Sequence, residues 1–356
     1  MPDVREVYEM ITKQKPPEPG ALERQQKRQV RTARNRKFGA LAAAAVIGLA
    51  AVVVIVTNRP GTNTTTPGGD PSPRPVPEFS VASFVDLRTG DVTPLPESIR
   101  PPVTEPYSGF YSTSPDGTMF AYSACCGPSP VFVANVDGTG IREITPDGVD
   151  GFGPSWSPDG SMLVYQQRDG ATLEIGNLFV VDVNTGETTQ ITDLGAAAFG
   201  WWFLAPSFSP DGATILFHRP RGPGDNDVST RWDLWSVPAA GGEPTLAVRD
   251  ASLGAYGPDE QSLAYVESPR GIWWASTRLM VADADGGDPE LLVEGQDEID
   301  FPRWSPDGTR IAYVDAGRIH VVDVATGETS SVADGPDDDL LYTVDWFDED
   351  TLVVVP

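Results

Sequence analysis

The sequence predicts an all-β fold: a six-bladed β-propeller with four-stranded blades, preceded by a single transmembrane helix. Three observations predict it. A turn pattern recurs six times between residues 111 and 350. A strand and then a second hairpin signal follow most copies. Two incomplete units, one at each end of this region, complement each other.

The turn pattern is intact at Ser157-Pro158-Asp159-Gly160, Ser209-Pro210-Asp211-Gly212 and Ser305-Pro306-Asp307-Gly308, each after an aromatic residue (Trp156, Phe208, Trp304). Ser114-Pro115-Asp116-Gly117 keeps the turn but follows Thr113. Tyr256-Gly257-Pro258-Asp259-Glu260 and Trp346-Phe347-Asp348-Glu349 are decayed copies. A fixed period of about 42 to 52 residues marks a repeat architecture. In each turn Pro presets φ and Gly tolerates positive φ. The runs Met162–Tyr165, Ile215–Phe217, Leu263–Val266 and Ile311–Val314 read as buried strands. Hairpins are expected at Asp182–Glu187, Asp283–Asp288 and Asp323–Glu328, with weaker copies at Asn135–Gly140 and Pro238–Glu243. Each unit therefore holds four strands.

A hairpin is left over at Ser80–Leu95 and a half-unit at Thr343–Val355. Together they make a sixth blade, its outer two strands from the N-terminal end and its inner two from the C-terminal end. Such closure removes exposed sheet edges.

The aromatic-Ser-Pro-Asp-Gly turn, the Ile311-Ala312-Tyr313 strand and the Asp323-x-x-Thr326-Gly327-Glu328 hairpin resemble the WD40-like repeats of TolB-type six-bladed β-propellers. The resemblance covers roughly residues 80 to 356. Such propellers serve as protein-binding modules, sugar-binding modules and gating domains of peptidases, so the resemblance implies a fold and no single activity.

Four segments are expected: a basic cytoplasmic tail (1–37), a signal-anchor helix (38–57), a Thr/Pro/Gly-rich linker (58–78) and the propeller (79–356). Phe38 to Val56 carries no charge and as a helix reaches about 28 Å, enough to span a hydrocarbon core. Its length and bulky Val/Ile end favour an anchor over a cleaved signal peptide. Lys27, Arg28, Arg31, Arg34, Arg36 and Lys37 flank it, so the tail is expected to stay cytoplasmic and the propeller to lie outside. The tail has ten Lys/Arg against five Asp/Glu, whereas residues 58–356 have fifteen Arg, no Lys and forty-six Asp/Glu. The acidic part repels nucleic acid and attracts cations or basic partners.

No cofactor, metal or catalytic role is expected. His218 and His320 fall in different blades without partners at ligand spacing, and read as structural. There is no Gly-x-Ser-x-Gly elbow, no phosphate loop and no complete calcium loop. Cys125 and Cys126 are the only cysteines. They form either a vicinal disulfide, which the turn Gly127-Pro128 would permit, or two separate thiols.

Alternate turns of a meander lie at opposite ends of a blade. The short Ser-Pro-Asp-Gly and Thr-Gly-Glu turns therefore share one face, and every long loop falls on the other. Function rides on such loops. They carry Trp201, Trp202, Phe203, Trp232, Trp273 and Trp274, and the acids Asp297, Glu298, Asp300, Asp337, Asp338 and Asp339. The expectation is a non-catalytic, membrane-anchored extracytoplasmic module binding a protein, peptide or envelope polymer. The alternative is a single-pass sensor signalling to a cytoplasmic partner through the tail. A propeller hydrolase or dehydrogenase is a distant third.

Overall fold

The computed structural model describes residues 81–99, 109–124, 130–168, 176–194, 205–221, 231–268, 277–296, 298–334 and 343–355. The tail, the uncharged segment, the linker and both cysteines lie outside the described residues. Among those described, no helix is long and apolar enough to cross a membrane.

The chain enters on β1 (Ser83–Asp86) and β2 (Val92–Pro94). Blade one follows as β3 (Gly109–Thr113), β4 (Met119–Ala124), β5 (Phe132–Asn135) and β6 (Arg142–Glu143). Blade two is β7 (Asp150–Trp156), β8 (Met162–Arg168), β9 (Leu178–Asp182) and β10 (Thr188–Gln190). Blade three is β11 (Ser207–Phe208), β12 (Thr214–Pro220), β13 (Trp232–Pro238) and β14 (Thr245–Val248). Blade four is β15 (Ala251–Tyr256), β16 (Ser262–Glu267), β17 (Arg278–Asp283) and β18 (Glu290–Glu294). Blade five is β19 (Ile299–Trp304), β20 (Arg310–Asp315), β21 (Arg318–Asp323) and β22 (Thr329–Asp334), after which come β23 (Thr343–Asp348) and β24 (Thr351–Val355).

All six sheets are four-stranded, and the sixth has the order β2-β1-β24-β23. Both ends of the chain build it, as the leftover half-units imply. Ser83 pairs with Val354 and Asp86 with Thr351. The first strands of successive blades lie side by side: β3 by β7, β7 by β11, then β15, β19, β23 and back to β3. The ring is closed.

Aromatics ahead of the turns latch neighbouring blades. The indole N–H of Trp156 donates to the Ser112 carbonyl at 2.9 Å, Trp304 to Ala255 at 3.1 Å and Trp346 to Arg303 at 2.9 Å. Each bond reaches the innermost strand of the preceding blade. The repeated aromatic is thus an inter-blade latch, satisfying a buried N–H that would otherwise cost stability.

One repeated feature escapes the sequence reading. Three residues before the aromatics of blades two to five, Gly153, Ala205, Leu253 and Phe301 take φ of 57°, 42°, 51° and 50°. In β7, β15 and β19 the ladder slips at this point. Such bulges re-aim side chains. Leu253 and Phe301 join Val344 in one buried cluster, against which Phe110 and Ala205 pack. The Phe110 and Phe301 rings meet edge to face at 6.4 Å, though their blades are separated by blade six. Positive φ is unfavourable for bulky residues. Here it places apolar side chains where they fill the axis.

Candidate functional site

The two faces of the disc are built differently. On the turn face every intact copy repeats one network. The Ser157 hydroxyl donates to the Asp159 carboxylate at 2.6 Å and accepts the Met162 N–H at 2.9 Å. Asp159 also accepts the Ser161 N–H, and Gly160 N–H closes the turn on the Ser157 carbonyl. The same bonds recur from Ser114, Ser209 and Ser305. The serine hydroxyl bond, chiefly, holds Asp116, Asp159, Asp211 and Asp307 below the ordinary carboxylate pKa. In the second turn type Asp182 accepts the Asn184 and Thr185 N–H groups, and Asp86 caps its turn likewise. These recurring acids are committed to their own backbone, so this periphery is structural.

The decayed turn of blade four shows what the motif supplies. Gly257 has no hydroxyl to offer, and Ser262 compensates: its N–H and hydroxyl both donate to Asp259. Glu260 stands where the other copies have Gly and takes φ of 61°.

The opposite face collects the long loops. Their tips lie outside the described residues: Trp201, Trp202, Phe203, Trp273, Trp274, Asp297, Asp337, Asp338 and Asp339. Their bases are described, and they are clamped. Below the 222–230 segment Arg221 grips the buried Asp233 with two N–H groups and also reaches Asp250 at 3.2 Å. Burial pushes the Asp233 pKa up, but the Arg221 bond and the Asp250 N–H bring it below its ordinary value. Beneath the 269–276 segment Arg278 pairs with Glu267. The two bases are tied together where Ser268 N–H donates to the Asp250 carbonyl at 2.7 Å. In blade two the Asn177 carboxamide accepts the Leu194 N–H at 2.7 Å, fixing the start of the next loop.

Three candidate residues fall within the description, and two depart from the loop expectation. Trp232 is not a surface aromatic: it opens β13 at 3% exposure and stands edge-on to His218 at 5.0 Å. The buried hairpin base recruits it. Asp300 belongs to the innermost strand β19 and is only 7% exposed, and burial pushes its pKa up to about 7. Glu298 is half-buried just before it. His218 is structural, as its spacing implies: its Nδ1 accepts the N–H of Leu253, the bulge residue of the next blade, at 3.1 Å. The His320 ring stacks on Tyr313. No group of three or more His, Cys, Asp or Glu among the described residues is arranged to hold a metal ion.

Comparison with known proteins gives a consistent fold. No family model matches the chain. An uncharacterised protein of Agrobacterium fabrum is 26% identical over 237 residues, covering 62% of this chain and 74% of the relative. The Tol-Pal system protein TolB of Methylococcus capsulatus is 45% identical over 62 residues, 16% of this chain and only 15% of TolB. Among solved structures, a putative TolB from Agrobacterium tumefaciens superposes with a TM-score of 0.55 at 15% identity, covering 77% of this chain and 96% of that one. The chain therefore has the TolB-like six-bladed propeller fold.

Proposed function

We propose that this propeller is a non-catalytic binding module, displayed outside the cytoplasmic membrane on the 38–57 helix and the 58–78 linker. It recognises a protein, peptide or envelope polymer through its long-loop face. One observation carries this reading: loops that lack the repeat's own turn chemistry stand on bases fixed by Arg221–Asp233 and Arg278–Glu267. A rigid base with non-repetitive loops is how scaffolds present recognition surfaces. Similarity to proteins named for the Tol-Pal system supports an extracytoplasmic, protein-directed role. Trp201, Trp202, Phe203, Trp273 and Trp274 supply apolar contact. Glu298, Asp297 and Asp337, Asp338 and Asp339 supply charge that selects basic partners.

Crosslinking on intact cells, with partners identified on each side of the membrane, tests the reading. Trp201→Ala/Trp202→Ala should weaken capture by about 2 kcal/mol or more, as expected for aromatic anchors. Asp337→Asn/Asp338→Asn/Asp339→Asn should chiefly slow association and flatten its salt dependence. Undiminished capture by both variants, with capture lost on folded turn-face variants, would put the site on the wrong face.

A further inference from the structure

Six residues occupy one equivalent level in the innermost strands, on the turn-face side of the apolar axis filling. Register identifies them: Ser112, Ser155, Ser207, Ala255, Arg303 and Asp345 pair respectively with Ala121, Val164, Leu216, Ala264, Ala312 and Val353. Three are half-buried serines, and the two charged members are adjacent, on blades five and six.

The two charges are not equally satisfied. Asp345 spans from blade six to blade one, where its Oδ2 accepts the Thr113 N–H at 2.8 Å. Since β3 is the inner edge of its sheet, this N–H marks the axis side. The other oxygen, Oδ1, accepts the Trp346 N–H at 3.0 Å. Arg303 donates one bond, from NH1 to the Pro302 carbonyl at 3.0 Å. No described residue takes the rest of its guanidinium fork. Burial lowers its pKa, partly opposed by the charge of Asp345. Donors are thus in surplus at this level, and the acceptor oxygens already have N–H partners. A fork with open N–H groups matches a planar carboxylate. The neighbouring Asp345 disfavours a dianion.

We propose that the turn-face end of the propeller axis binds a small monocarboxylate on Arg303. This site lies opposite the long-loop face and does not depend on what that face binds.

The test is thermal melting of the full chain in detergent, titrated with sodium acetate or sodium sulfate against sodium chloride at matched ionic strength. A ligand that binds only the folded state raises the melting temperature with a saturable dependence. Acetate should do so, and Arg303→Gln should abolish it. Arg88→Gln, which removes an exposed cation paired with Asp350, should leave the response intact. If Arg303→Gln fails to fold, Arg303→Lys keeps the charge without the fork and should need roughly tenfold more acetate. Sulfate also stabilises proteins by general exclusion, so a non-saturating rise common to both salts, or one that survives in the Arg303 variants, would overturn the site. A saturable response to sulfate alone would overturn the carboxylate assignment.

Discussion

The turn face and the long-loop face are made by the same strands, yet they use acidic side chains in opposite ways. At the turn face Asp116, Asp159, Asp211 and Asp307 spend their acceptor capacity on residues within three positions of themselves. At the loop face Asp233 and Asp250 accept from residues 12 to 29 positions away. Local bonds leave a sequence period and long-range bonds do not. Regularity therefore marks the structural face, and loss of it marks the face free to specialise.

The largest break in this comparison is removal of residues 343–356. Blade six would lose β23 and β24, including the fully buried Leu352, Val353 and Val354, and β1 would lose one of its two partners. The ring should fail to fold, giving aggregated material by gel filtration. A monomer with an unchanged melting temperature would refute closure by both ends.

The second effect is pH-dependent and lies at the axis. The Asp300 pKa is raised by burial to about 7 from an ordinary value near 4. The sign follows from linkage: the folded state binds the proton more tightly, so this contribution is fully present below pH about 4 and is lost as pH rises through about 7. Melting temperature should fall between pH 5 and 8, and Asp300→Asn should flatten that fall. Turn-face acids act in the opposite sense. Their lowered pKa values stabilise the fold above pH about 4 and are lost on further acidification.

Smaller still is Asp233→Ala, which strands Arg221 at the base of a long loop. Breaking a buried pair from one side costs about 3–5 kcal/mol. Arg221 is one-third exposed, so water recovers part of that, and a loss of about 2 kcal/mol is expected in denaturant titration. Least of all is Glu260→Gly. It restores the residue that the other turns use at positive φ and should stabilise blade four by about 1 kcal/mol. No gain would mean that the glutamate side chain contributes elsewhere.

These orderings also show why the fold was legible and the site was not. The turn motif, the strand after it and the Asp-capped hairpin each satisfy their bonds within a few residues, so every blade announces itself. Closure could be inferred because Ser80–Leu95 and Thr343–Val355 are halves of a known unit. Trp232 misled, since an aromatic beside a long loop looks the same in sequence whether it projects or packs on His218. The Arg221–Asp233 clamp closes a hairpin within blade three that carries no repeated motif, and Arg303 and Asp345 become neighbours only when the ring sets blade five beside blade six. A signal for the bulges was present: Phe152-Gly153-Pro154 and Phe301-Pro302 stand at one offset from the aromatic. Its meaning required knowing that those strands face an axis.

Closure by both ends also sets a clock on synthesis. Asp86 waits for Thr351, about 265 residues later, and at roughly 5–20 residues per second that is on the order of 13–50 s. Throughout that interval the edge of β1 that will receive β24 is an open template, able to recruit another nascent chain. The protein is most vulnerable to mispairing before its last dozen residues exist, and crowded translation would be punished more than heat.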